Sequence, residues 1–193
     1  MGSYVGKTQT NEDQVEWFLK TGIITPVASL ADVPVTPNTA YLVDIDGVIL
    51  TSIPNTKRQT LSGGAYDWWT NIMCQPACQM YIVTARDVSA KQRAINQLAK
   101  ASITPILYDE IYCQGYKGGV LKRLLPTIGT RSIVCIDDQF MNLLEYNDIS
   151  PRAKLYIVNP HIKVTRVGES NQILIDDCVV EHIPEKYWYG EGT

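Results

Sequence analysis

Five short apolar runs punctuate this chain: TAYLVDI (39–45), QMYIVTA (79–85), ITPILYDEIY (103–112), RSIVCIDD (131–138) and KLYIVNP (154–160). Short apolar runs bounded by turn formers read as strands buried on both faces. Between them lie segments of helical character. AYDWWTNIMCQ is a short helix candidate, and SAKQRAINQLAKA is amphipathic, with Ile95, Leu98 and Ala99 on one side. A third helix begins around Gly118–Gly119, with Val120, Leu121, Leu124 and Leu125 apolar, and QFMNLLEYND forms a fourth. Upstream, NEDQVEWFLKTG opens on Asn11 as a cap, sets Val15, Phe18 and Leu19 at helical spacing, and stops at Gly22. Residues 25–39 carry Pro26, Pro34 and Pro37 and read as an irregular lead-in. Beyond His161 the pattern weakens, and NQILIDDCVVEHI (171–183) suits a strand or a short helix. Strands alternating with helices predict an α/β fold built from βαβ units on a parallel sheet.

Composition narrows the class. The chain has 193 residues, 45% hydrophobic and 19% charged, enough for one core and marginal for two domains. Its net charge of −3 argues against bulk nucleic-acid binding, which needs clustered Lys and Arg. No apolar run approaches the roughly 18 residues of a membrane span. The polar start, MGSYVGKTQTNEDQ, lacks the apolar core of a signal peptide. Five cysteines, Cys74, Cys78, Cys113, Cys135 and Cys178, read as free thiols rather than a disulfide framework. Cys74 and Cys78 form a CxxxC, but neither His161 nor His182 is placed to complete a zinc site. There is no glycine fingerprint for a dinucleotide and no GxxxxGK(S/T) phosphate loop.

The candidate chemistry sits at the strand ends. Asp44 and Asp46 close the first run, with Gly47 following. The second ends at Thr84, followed by Ala85, Arg86 and Asp87; Lys117 precedes the helix after the third. The fourth ends in Asp137 and Asp138, with Asn142 a helical turn on. In a parallel sheet the carboxyl ends of strands open on one crevice. Singly, each residue has a plainer role: a turn at Asp46–Gly47, a strand-end cap at Thr84, a solvated Lys117, a helix cap at Asp137–Asp138. Together they suit phosphoryl transfer. Asp44 is the candidate nucleophile and Asp46 the candidate general acid and base. Thr84, Ala85, Arg86 and Lys117 are the candidate substrate-binding positions, with Thr84 and Lys117 also counted as catalytic. Asp44, Asp46, Asp137 and Asp138 are the candidate positions for Mg²⁺, with Asp46 contributing its backbone carbonyl.

These residues resemble the haloacid dehalogenase superfamily of phosphohydrolases. LVDIDGV is similar to its first motif, hhhDxDx(T/V), through Asp44, Asp46 and Val48. YIVT ending at Thr84 is similar to the second, Lys117 to the third, and IVCIDD with Asn142 to the fourth. The likeness spans residues 38–160 of a single domain, with residues 1–35 a lead-in and 161–193 a C-terminal extension. It implies a Rossmann-like three-layer fold with a mainly parallel five-stranded sheet of order 5-4-1-2-3. It also implies Mg²⁺-dependent catalysis through an aspartyl-phosphate. Residues 47–83 and 85–116, where the superfamily inserts its cap domains, are too short for one. The resemblance is therefore to capless members, including effector-type protein phosphatases. It implies a phosphorylated protein as substrate, with phosphotyrosine favoured, or alternatively a small phosphomonoester. No nucleic acid or membrane partner is expected. The location implied is cytoplasmic, or another cell's cytosol reached without a classical signal peptide. In the family the loop TSIPNTKRQTLSGG forms a hairpin flap, and Tyr66, Trp68 and Trp69 beyond it either meet a phosphorylated ring or pack in the core.

Two other readings use the same parts. A receiver domain has a phosphorylated Asp, further acids, a Thr and a Lys. There, however, the acid pair follows the first strand, whereas here it follows the fourth. A catalytically idle binding module would have no physical need for all of these groups together.

Overall fold

The computed structural model describes residues 11–53, 55–56, 58–158, 162–167 and 170–175. Helix α1 (Asn11–Lys20) leads into strand β1 (Ile24–Val27). Strand β2 (Thr39–Val43) is followed by a small hairpin, β3 (Leu50–Ser52) and β4 (Gln59–Leu61), and by α2 (Ala65–Met73). Then come β5 (Gln79–Thr84), α3 (Lys91–Lys100), β6 (Glu110–Cys113) and α4 (Lys117–Ile128). Strand β7 (Ser132–Asp137), α5 (Phe140–Ile149) and β8 (Lys154–Val158) follow, and then a second hairpin, β9 (Ile162–Val167) and β10 (Ser170–Ile175).

The central sheet has six strands in the order β1-β8-β7-β2-β5-β6, every pair parallel. The five expected strands are β2, β5, β6, β7 and β8, and they run in the expected order. The sixth, β1, corrects the five-stranded expectation. It lies within the proline-bearing lead-in, and Pro26 is tolerated because β1 sits at the sheet edge, paired only with β8.

Alternation along each strand splits the core into two layers. Ala40, Leu42, Cys135 and Leu155 face a layer built with α1, α4 and α5. Tyr41, Val43, Ile82 and Ile136 face the opposite layer, built with α2 and α3. Because both faces are covered, all of β2 is buried, which is why its sequence after Thr39 carries no charged or amide side chain. Residues 47–83 hold the β3–β4 hairpin and α2, and residues 85–116 hold α3 and β6. The hairpin lies where the family resemblance puts its flap.

Trp68 and Trp69 are both core residues. Trp68 packs edge-on to Tyr41 at 5.6 Å and donates to Val33 O at 2.7 Å. Trp69 is fully buried and donates to Leu107 O at 2.5 Å. Neither indole is available to meet a substrate ring, whereas Tyr66 is exposed. Cys74, Cys78, Cys113 and Cys135 are free thiols. Cys178, His161, His182 and the part of 171–183 beyond Ile175 lie outside the described residues. Among the described residues no helix is long and apolar enough to cross a membrane.

Candidate active site

Three strand ends and one helix start meet at the carboxyl edge of the sheet. Asp44 follows β2 directly, and its N–H donates to Ile136 O at 3.0 Å, adding a rung to the β2–β7 ladder. Asp137 is the last residue of β7 and Thr84 the last of β5. Lys117 is the first residue of α4, and the Glu145 carboxylate on α5 accepts from its N–H at 2.8 Å and from that of Gly118 at 3.3 Å. A carboxylate at the positive end of α4 fixes where that helix begins.

Lys117 is fully buried, as is Asp137, and Asp44 nearly so. The ammonium donates to Asp137 Oδ2 at 2.6 Å and lies 2.9 Å from Asp44 Oδ1. Burial alone would strip a lysine of its charge, but the carboxylates of Asp137 and Asp44 outweigh it and raise the Lys117 pKa. The other Asp137 oxygen accepts from Asn142 Nδ2 at 2.9 Å and from Gln139 N at 3.1 Å. Asp44, by contrast, is pushed up to about 8 by burial and by the Asp137 charge, against the opposing pull of Lys117. Its Oδ1 meets that ammonium off the ideal hydrogen-bond direction.

Asp44, Asp137 and Asp138 each bring one carboxylate oxygen within 4.8 Å of the others. Gly47 permits that closeness: it has φ +79°, and a Cβ there would overlap the Asp138 carboxylate. Asp44 and Asp137 are buried in this cluster and Asp138 is partly exposed. Hard oxygen donors gathered this closely, two of them buried, fit a divalent cation.

Asp46 behaves differently. Its carboxylate takes a two-pronged ion pair from Arg86, Nε to Oδ2 at 2.7 Å and Nη2 to Oδ1 at 2.6 Å. Gln59 Nε2, from the hairpin strand β4, adds a bond to Oδ1 at 2.8 Å. Partial burial works to raise the Asp46 pKa, but the bonds from Arg86 and Gln59 prevail and lower it. The side chain therefore lies outside the carboxylate cluster. The Arg86 fork has claimed both its oxygens, which leaves only the backbone carbonyl to ligate a cation.

Thr84 is buried, and its Oγ1 accepts a long bond from Arg86 N at 3.4 Å. Ala85 is exposed. Arg86 is spent on Asp46 and on Gln97 Oε1 at 2.6 Å, so in this conformation it is not free to meet a substrate. Gln59, Gln97 and Glu145 are absent from the sequence-based site. Amides and a mid-helix glutamate carry no positional signature, and only the place of Gln59 in the expected flap pointed toward the site.

No protein-family model matches the chain, and neither do curated proteins or solved structures.

Proposed function

We propose that this protein is a Mg²⁺-dependent phosphatase working through an aspartyl-phosphate on Asp44, with a phosphorylated protein as substrate. The observation that supports this most is the buried Lys117 bridging Asp44 and Asp137 while Asp138 closes the same cluster. The motif resemblance to the haloacid dehalogenase superfamily points the same way.

In this reading the Asp44 oxygen attacks phosphorus and the ester oxygen departs with the bonding pair. Asp46, once turned from Arg86 and protonated, gives that oxygen its proton. The ionised Asp46 then takes a proton from the water that attacks the aspartyl-phosphate, releasing phosphate and restoring Asp44. Lys117 keeps positive charge against Asp44 throughout, and the Thr84 hydroxyl donates to a phosphoryl oxygen. Asp44, Asp137 and Asp138 would hold Mg²⁺, with the Asp46 carbonyl, and the bound ion would offset the charge that gathers on the phosphoryl group.

Residues 47–83 and 85–116, on either side of Thr84, are too short to hold a separate cap domain, which suits a phosphorylated side chain on a large partner. With Trp68 and Trp69 in the core, the exposed Tyr66 is the one of the three aromatics left to favour phosphotyrosine over phosphoserine or phosphothreonine.

Hydrolysis of para-nitrophenyl phosphate tests the reading. Turnover that requires Mg²⁺ and disappears in Asp44→Asn is expected. A folded, Mg²⁺-replete protein with no turnover, or full turnover in Asp44→Asn, would refute it.

A further inference from the structure

A groove of about 650 Å³ opens between the β3–β4 hairpin and the C-terminal end of α3. Its volume falls among those of ligand sites. The hairpin side contributes Arg58, Gln59 and Leu61, and the helix side Gln97 and Lys100. Among the described residues no carboxylate lines it. Arg58 and Lys100 are exposed, one from each wall, and among the described residues neither side chain has an ion-pair partner. Two unpaired cations facing one groove are a local exception on a chain whose net charge is −3. At the end of α3 the N–H groups of Ala101, Ser102 and Ile103 occupy the carbonyls of Gln97, Leu98 and Ala99, which blunts the helix's negative end.

The groove is joined to the chemistry through its amides. Gln59 is both wall and hydrogen-bond donor to Asp46, and Gln97 is both wall and acceptor from Arg86. Asp46 is the group that serves the departing oxygen, so whatever carries that oxygen leaves on this side.

We infer that the groove is the leaving-group site and that it receives an acidic stretch of polypeptide flanking the phosphorylated residue. This rests on the phosphatase reading for the direction of departure. The cations give the charge preference, and their placement on opposite walls suits successive side chains of an extended segment, which alternate in direction. A small phosphomonoester with one further anionic group would use only one of them.

The test compares three phosphopeptides of one central sequence, flanked by Glu, Gln or Lys. Each is measured as substrate and also, as its non-hydrolysable phosphonate, by fluorescence polarisation. For wild type the Glu-flanked peptide is favoured over the Gln-flanked one by about fivefold at low salt, chiefly in KM and in phosphonate affinity. That preference shrinks as salt rises. Arg58→Gln and Lys100→Gln each lose part of it. Arg58→Glu/Lys100→Glu inverts the order so that the Lys-flanked peptide leads, which general damage to the fold cannot do. Indifference to flanking charge, or an order unchanged by the double reversal, overturns the inference. So does a small bis-phosphorylated metabolite that outcompetes every peptide. The two readings fail separately. An ordered, invertible phosphonate series without para-nitrophenyl phosphate turnover keeps the groove and removes the phosphatase. Turnover without any ordering does the reverse.

Discussion

Lys117 carries its charge where no water can solvate it, and the aspartates around it are what make that tolerable. Lys117→Met removes the ammonium and leaves Asp44 and Asp137 facing each other in the core. Breaking a buried pair in this way costs roughly 3–5 kcal/mol. We expect a loss of that size in urea denaturation, together with loss of turnover. Asp46 has the opposite setting, half-buried and tied to a guanidinium. Asp46→Asn should lower turnover of alkyl phosphates by about 10²–10⁴, the usual worth of a general acid. The drop should be smaller in the first step with para-nitrophenyl phosphate, whose leaving group needs little protonation; an equal drop for both would remove the acid role. Gly47 holds a left-handed φ and has no room for a methyl beside Asp138. Gly47→Ala should cost about 1–3 kcal/mol, measured by urea denaturation, and weaken Mg²⁺ binding by calorimetry. A silent Gly47→Ala would mean that Asp138 does not need its present position.

At the scale of elements, what could be read from the chain depended on burial. The strands β2, β5 and β7 are covered on both faces, so their sequences are nearly unbroken apolar runs and were legible. The acids and Thr84 at their ends stood out against that background. Strand β1 was hidden because Pro26 argues against a strand anywhere but at an edge, and edge position is a property of the whole sheet. The β3 and β4 strands are short and carry no clear alternation; only the family resemblance announced them. The pairing of Asp46 with Arg86 was not legible either, because residue type does not say which of several nearby partners a carboxylate takes. Helix α2 shows the limit for aromatics: both indoles lie inward, each with its N–H on a backbone carbonyl from a distant segment. Trp69→Ala should cost about 3–5 kcal/mol in urea denaturation.

For the molecule as a whole, the site exists only when β2, β5, β7 and α4 are assembled, so binding of a cation there would be linked to folding. Adding Mg²⁺ should raise the thermal midpoint, by an amount equivalent to about 2.7 kcal/mol at a hundred times its Kd. Asp137→Asn should abolish the rise, whereas Asp46→Asn should keep it, since the Asp46 carboxylate stands apart from the cluster. A rise that survives Asp137→Asn would move the cation elsewhere. The central claim, that Asp44 carries the phosphoryl group, has a direct measurement. In Asp46→Asn the aspartyl-phosphate should still form from para-nitrophenyl phosphate, because that leaving group departs unaided, but water should attack it slowly. Acid-quenched peptide mass spectrometry should then find one added phosphoryl group on the peptide bearing Asp44, with none when Asp44→Asn is added. Hydrolysis without any such adduct, or an adduct on another residue, would contradict the account.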